Sequence, residues 1–208
     1  RHHVFMPVYV ILDASLLCTC PASVIAYSGV DALTQAIESY ISKLATNLSE
    51  FFSLEALRLI NGAIEEVFTD PCSRESEDLL VGSYMTGIAL TMARLGIVHG
   101  LAHPLGSYCR LPHGMACAIC LPFAIELNMQ VISSKYKKMS EVIGDDLLTR
   151  INYFLEKFKI PKTIPSLNQF SEWDKIIEET LASGSTAANP LPVTSNEVKQ
   201  LLKKIAGG

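Results

Sequence analysis

The chain has 208 residues, room for one large domain or a domain with an appendage. Its formal net charge of −4, from 17 Lys+Arg against 21 Asp+Glu, is well mixed and holds no long basic run, so nothing points to nucleic acid or an anionic membrane. Apolar residues make up 49% and charged residues 18%, with a mean hydropathy of +0.29, yet no apolar run reaches the ~18 residues of a spanning helix.

Arg1 to Pro7 lack the charged and apolar regions of a secretory signal, so a cytoplasmic protein with reduced thiols is expected. The high apolarity implies surface covered by a second domain or a twin subunit, and a homo-oligomer is expected. Val8-Tyr-Val-Ile-Leu12 is β-branched and aromatic and reads as one short strand ending at Asp13. Helical spacing of apolar positions then predicts helices over about residues 30–45 and 49–69, the second broken by Asp70-Pro71. A third, from about 75 to 94, is rich in small residues (Gly82, Ser83, Gly87, Ala89, Ala93) and is expected to be central and buried. A strongly apolar helix follows from about 115 to 129, with shorter ones over about 134–143, 145–158 and 171–182. Ser183 to Pro192 is a loop, and Thr194 with Glu197 forms a capping box that opens a last helix to about Ile205. The chain thus reads as all-α with a single strand at its front edge, and a lone strand needs a sheet to join.

Chemistry concentrates in Gly96-Ile-Val-His99-Gly-Leu-Ala-His103-Pro-Leu-Gly106 and Leu111-Pro-His113-Gly114, which hold three of the five histidines. His99 and His103 stand four apart and share one helix face. His113, between Pro and Gly, sits on a turn or at the start of the next helix. A lone histidine is more often a satisfied core residue, but three this close, among glycines and prolines, suit a metal ion or a metal with a proton-transfer group. Upstream, Asp31 and Gln35 are also four apart. Asp31 alone reads as a first-turn residue favoured by the helix dipole, Gln35 as an ordinary helix residue and Glu38 as a solvated or salt-bridged one. With the histidines, Asp31 makes a carboxylate–imidazole set suited to Fe²⁺, Zn²⁺ or a similar ion. Six cysteines are present, and Cys117-Ala-Ile-Cys120 lies in an apolar helix where free Cys behaves as a small hydrophobe.

Three stretches, Asp31 to Ser42, Gly96 to Gly106 and Pro112 to Pro122, resemble the iron-containing (group III) alcohol dehydrogenase family, and Asn189-Pro190 with the final helix resembles its C-terminus. The resemblance implies a two-domain enzyme whose N-terminal α/β domain binds NAD or NADP and whose helical C-terminal domain carries the metal. It would make residues 1–13 a remnant strand and interdomain link, and 14–208 the helical metal-binding and catalytic domain. It assigns Asp31, His99 and His113 as metal ligands and His103 as a residue near substrate and nicotinamide, a candidate for proton relay. The remaining family ligand is a histidine at the position of Gln35. Three options stay open there: Gln35 ligates through its carbonyl oxygen, Gln35 holds a ligating water, or the metal is lost and His103 with hydrogen bonds polarises the carbonyl. No glycine-rich phosphate loop occurs in the chain, so NAD(P) would bind through a nucleotide-binding domain outside it. The implied metal is Fe²⁺, with Zn²⁺ second, and the implied substrate a small alcohol or carbonyl compound. Two rivals remain: a metal-dependent hydrolase or lyase using Glu38 as general base, and a non-catalytic helical partner domain.

Overall fold

A computed structural model describes residues 7–208, and all of its regular elements there are helical. In chain order they are α1 (Ala22–Ile41), α2 (Asn47–Thr69), α3 (Glu75–Ala93), α4 (Ile97–Cys109), α5 (His113–Ile143), α6 (Leu147–Lys157), α7 (Trp173–Ala182) and α8 (Ser195–Ile205). Short 3₁₀ turns fill Ala14–Leu17, Pro165–Gln169 and Thr186–Ala188.

The all-α expectation holds, but the strand at Val8–Leu12 does not form. No described strand lies beside it to complete a hydrogen-bond ladder, and Val8, Tyr9 and Ile11 lie almost fully exposed. Residues 1–6 of the expected remnant, and most of the stretch judged not to be a secretory signal, lie outside the described residues.

The central helix is α1, buried nearly all round and packed against α2, α3 and α5. It starts at Ala22, eight residues before the predicted boundary, so Asp31 is a mid-helix residue rather than a first-turn one. Gly29 lies inside it in a packing role: a Cβ there would lie 2.6 Å from Ile64 Cδ1, so glycine lets α1 and α2 approach closely. The small residues of α3 have the same explanation. A Cβ on Gly82 would lie 2.8 Å from Ile60 Cγ1, whereas Val81, Tyr84 and Met92 face outward. So α3 is a flanking helix with one close-packed face, not the buried centre expected.

The predicted pair 115–129 and 134–143 is one continuous helix, α5, because Ile132 and Met139 carry the buried face on past the polar residues at 133–138. Among the described residues α5 is the one helix long and apolar enough to cross a membrane by itself, but 61% of its apolar window is buried inside the protein, as in a core helix. α4 lies between α5 and α7, and α6 and α8 pack on α5. A 107° bend separates α3 from α4, with Arg94 at φ 62°. The capping box forms at α8 as expected. One cysteine expectation is corrected: Cys18 and Cys72 form a disulfide, leaving Cys20, Cys109, Cys117 and Cys120 free. These two residues lie 54 apart in sequence, and only the packing of the first 3₁₀ turn beside the α2–α3 corner brings them together.

Candidate metal centre

Three helices build the site. On α1, Asp31, Gln35 and Glu38 follow one another at the i, i+4, i+7 spacing of a single face. α4 presents its first turn to that face. The first N–H groups of a helix have no partner inside it and must be satisfied from outside. Here Asn189 Oδ1 accepts from Ile97 N–H at 3.2 Å and Glu38 Oε1 accepts from Val98 N–H at 2.7 Å. Gly96 makes room for both: a Cβ would lie 2.8 Å from Glu38 Oε1 and 3.0 Å from Asn189 Oδ1. Asn189 is itself held by Asn128 of α5, donating to its Oδ1 at 2.7 Å.

The other oxygen of Glu38 fixes His99. Oε2 lies 2.6 Å from His99 Nδ1, and a carboxylate only accepts, so the proton sits on Nδ1 and Nε2 is left for another partner. That Nε2 lies 3.2 Å from Asp31 Oδ1. His113, first residue of α5, sets its Nε2 3.8 Å from the same oxygen. One turn further along α5, Cys117 Sγ lies 3.6 Å from His113 Nε2 and 3.8 Å from His99 Nε2. One donor atom from each of Asp31, His99, His113 and Cys117 falls within 4.8 Å of the others.

Gly114 makes the approach of α5 to α1 possible, since a Cβ there would lie 2.2 Å from the backbone oxygen of Tyr27. His103 stands beside the group, with its ring 5.2 Å from that of His113, centre to centre. Its Nδ1 donates to the His99 carbonyl at 2.9 Å, which leaves Nε2 free to accept. Gln35 turns its amide elsewhere: Nε2 donates to Asp31 Oδ2 at 3.0 Å, and Oε1 lies 3.2 Å from Thr86 Oγ1, whose hydroxyl donates to the Ser83 carbonyl at 2.6 Å. The reversed amide would set its oxygen against Asp31 Oδ2.

The charges follow from this packing. Burial works against a charge on His99, but hydrogen bonds with Asp31, Cys117 and Glu38 outweigh it and push its pKa up to about 12. Burial also opposes ionisation of Asp31, yet His99, by hydrogen bond and charge, and then His113 hold its pKa below the usual carboxylate value. His113 is lowered by burial first, with His99 and His103 adding to that against the pull of Asp31. Burial pushes the Cys117 thiol up to about 12. Two carboxylates therefore face a single protonated imidazole, a balance that a cation can take over. Asp31 Oδ1 is buried without a well-aligned hydrogen-bond partner, an acceptor left for an ion. The residues present thus fit a metal.

The sequence singles out Asp31, Gln35, His99, His103 and His113; the fold brings Asp31 and the three histidines to one place, while Gln35 bonds to Asp31 Oδ2 from the side and is not among the converging donors. In the sequence Cys117 reads as packing and Glu38 as a surface carboxylate or possible general base. The i, i+4 spacing of His113 and Cys117 was the available signal for the first. For Glu38 none existed, because its partners lie 60 and 61 residues away. Glu38 is 2% exposed and bonds through both oxygens to α4, so its contacts are those of a residue that positions His99 and the helix start.

A sequence model of the Fe-containing alcohol dehydrogenase family, C-terminal, matches residues 25–206. Alcohol dehydrogenase 4 of Saccharomyces cerevisiae (strain YJM789) is 28% identical over 209 residues, covering 95% of this chain and 54% of the yeast protein. Lactaldehyde reductase of Escherichia coli (strain K12) is 36% identical over 140 residues, 67% of this chain and 36% of that protein. Among solved structures, a 1,3-propanediol oxidoreductase superposes with a TM-score of 0.87 at 27% identity, over 93% of this chain and 54% of that one. The chain thus spans about half the length of most of the relatives it matches. With the family model aligned across almost its whole length, this chain belongs to the iron-containing alcohol dehydrogenases and corresponds to their C-terminal, helical part.

Proposed function

We propose that the chain is the metal-site part of a metal-dependent, NAD(P)-linked alcohol dehydrogenase that interconverts a small alcohol with its aldehyde or ketone. One observation carries this reading: a carboxylate and two imidazoles from three helices converge on a point around the buried Asp31 Oδ1. Asp31, His99 and His113 would hold the ion, Fe²⁺ first and Zn²⁺ second, and a bound ion supplies a Lewis acid that polarises the substrate oxygen.

The chain's own residues do the rest. Glu38 holds a proton on His99 Nδ1, so that Nε2 is the atom that would give up its proton and take the ion. Gln35 and Thr86 orient Asp31 from behind. His103, tethered through Nδ1 to the helix backbone, offers Nε2 to take up or return the alcohol proton. Hydride would pass between the substrate carbon and nicotinamide C4. The nicotinamide cofactor, NAD or NADP, is held by a nucleotide-binding domain outside this chain. The working form is a homo-oligomer in the cytoplasm.

The test is metal content and affinity of the purified protein for Fe²⁺ and Zn²⁺, measured beside Gln35→His. Stoichiometric binding by the native protein supports a site complete without a histidine at 35. Binding by Gln35→His alone would mean that the native protein has given up its metal, and the metal-dependent reading fails.

A further inference from the structure

We infer that Cys117 supplies the fourth protein donor of this centre, so that the ion is held by an Asp–His–His–Cys set and Gln35 serves to orient Asp31. The inference rests on the metal-site reading above and deepens it. Two donors bound to one tetrahedral ion at the usual metal–ligand lengths lie roughly 3.3–3.8 Å apart, the larger values applying when one is sulfur. The separations here fall in that window or just below it. Asp31 Oδ1 lies 3.2 and 3.8 Å from the two imidazole Nε2 atoms, and Cys117 Sγ lies 3.6 and 3.8 Å from the same atoms. Four of the six donor–donor separations thus match those of ligands on one ion, and all six lie within 4.8 Å.

Gln35 does not compete for that place. Its amide nitrogen donates to Asp31 Oδ2, the oxygen not shared with the imidazoles, and its carbonyl oxygen is turned to Thr86 Oγ1, 3.2 Å away. To ligate, it would have to give up the bond to Asp31 and leave Oδ2 unsupported. Cys117 has no comparable second duty. Its Sγ lies beside the two imidazoles and Asp31, and it is fully buried on the inner face of α5. On coordination the Sγ–H bond breaks, its proton leaves to solvent, and the sulfur lone pair forms the bond to the ion, with no change of oxidation state.

A thiolate alters which ion the centre prefers. Soft sulfur favours Zn²⁺ and Co²⁺ over Mg²⁺ and Mn²⁺, which an amide oxygen would have favoured.

The test loads the protein with Co²⁺ alone and records its absorption spectrum. Bound cobalt with a near-ultraviolet thiolate-to-cobalt charge-transfer band, together with intense visible bands of tetrahedral type, is the expected result. Cys117→Ser and Cys117→Ala should lose the near-ultraviolet band, keep helical circular dichroism, and bind Zn²⁺ at least tenfold more weakly. X-ray absorption of the Zn²⁺ form should show a sulfur shell at about 2.3 Å. Bound Co²⁺ with no charge-transfer band in the native protein overturns the assignment while leaving the metal site standing, and so does a band that survives in Cys117→Ser. Absence of any Co²⁺ or Zn²⁺ binding, or binding that His113→Ala leaves unchanged, overturns the site itself.

Discussion

Replacing Glu38 tests the way the first turn of α4 and the metal centre are joined. The carboxylate is 2% exposed and accepts from Val98 N–H at 2.7 Å and from His99 Nδ1 at 2.6 Å. Glu38→Ala leaves two buried donors without a partner. At about 1.5–3 kcal/mol for each charge-assisted bond, the loss is roughly 3–6 kcal/mol, a large share of a domain's total stability. For a protein of this length that lowers Tm by about 6–24 °C.

Glu38→Gln separates the two roles. Glutamine keeps the shape but can accept through only one atom. If its oxygen stays on Val98, its NH₂ faces His99 Nδ1 and drives the imidazole proton to Nε2, the atom that should ligate. If it turns round, two N–H groups oppose each other at Val98. The first arrangement costs less, so the fold survives and metal binding suffers, by about 10–100-fold in affinity. Competition with a chromophoric chelator gives the affinity, and a thermal scan of the same sample gives Tm. Glu38→Gln that binds metal as tightly as the native protein would refute the tautomer argument. Glu38→Ala with native Tm would refute the energetic one.

His113→Ala removes a donor at the mouth of the site and is expected to abolish stoichiometric metal binding, read by metal analysis after gel filtration; native metal content would sink the ligand assignment. Gly114→Ala forces a methyl group to within 2.2 Å of the Tyr27 backbone oxygen. Neither backbone can yield without separating α5 from α1, so about 1–3 kcal/mol of stability should go, with weaker metal binding because His113 moves too. A Tm within error of native would contradict the close approach.

Asp146 caps α6 by accepting from Thr149 N–H at 2.9 Å and also accepts from Tyr136 Oη at 2.6 Å. Asp146→Ala should cost about 1 kcal/mol in denaturant unfolding. The Tyr136 bond, then those to Thr149, lower its carboxyl pKa below 3.8 in the folded state. That contribution is therefore complete above the unfolded value and disappears as pH falls through the folded one. The native and Asp146→Ala stability curves should converge in acid; a constant gap down to the lowest pH would exclude the ionised cap.

What was legible in the sequence is what local spacing encodes. His99 and His103 on one helical face, a break at Asp70-Pro71 and the Thr194–Glu197 cap all depend on residues within a turn or two of each other. The start of α1 at Ala22 was missed because its first turns carry no capping side chain to mark them. The hidden members of the site failed for a different reason. Glu38 and Cys117 acquire meaning only from the crossing of α1, α4 and α5, and each looks ordinary on its own helix. Cys18 and Cys72 are the same case at the periphery. For Gln35, the sequence could pose the question of the departure from histidine; the position of Thr86 across on α3 shows where the amide goes.

The donors of the centre come from three separate helices and none from a loop. An ion there would act as a topological cross-link, tying the middle of α1 to the starts of α4 and α5. Folding and metal uptake then form one linked equilibrium: free ion at a hundredfold excess over its Kd adds about 2.7 kcal/mol to the stability of the native state. Chelation becomes a mild denaturant for this protein. The rank order of melting temperatures across a panel of divalent ions reports the selectivity of the centre before any substrate is known.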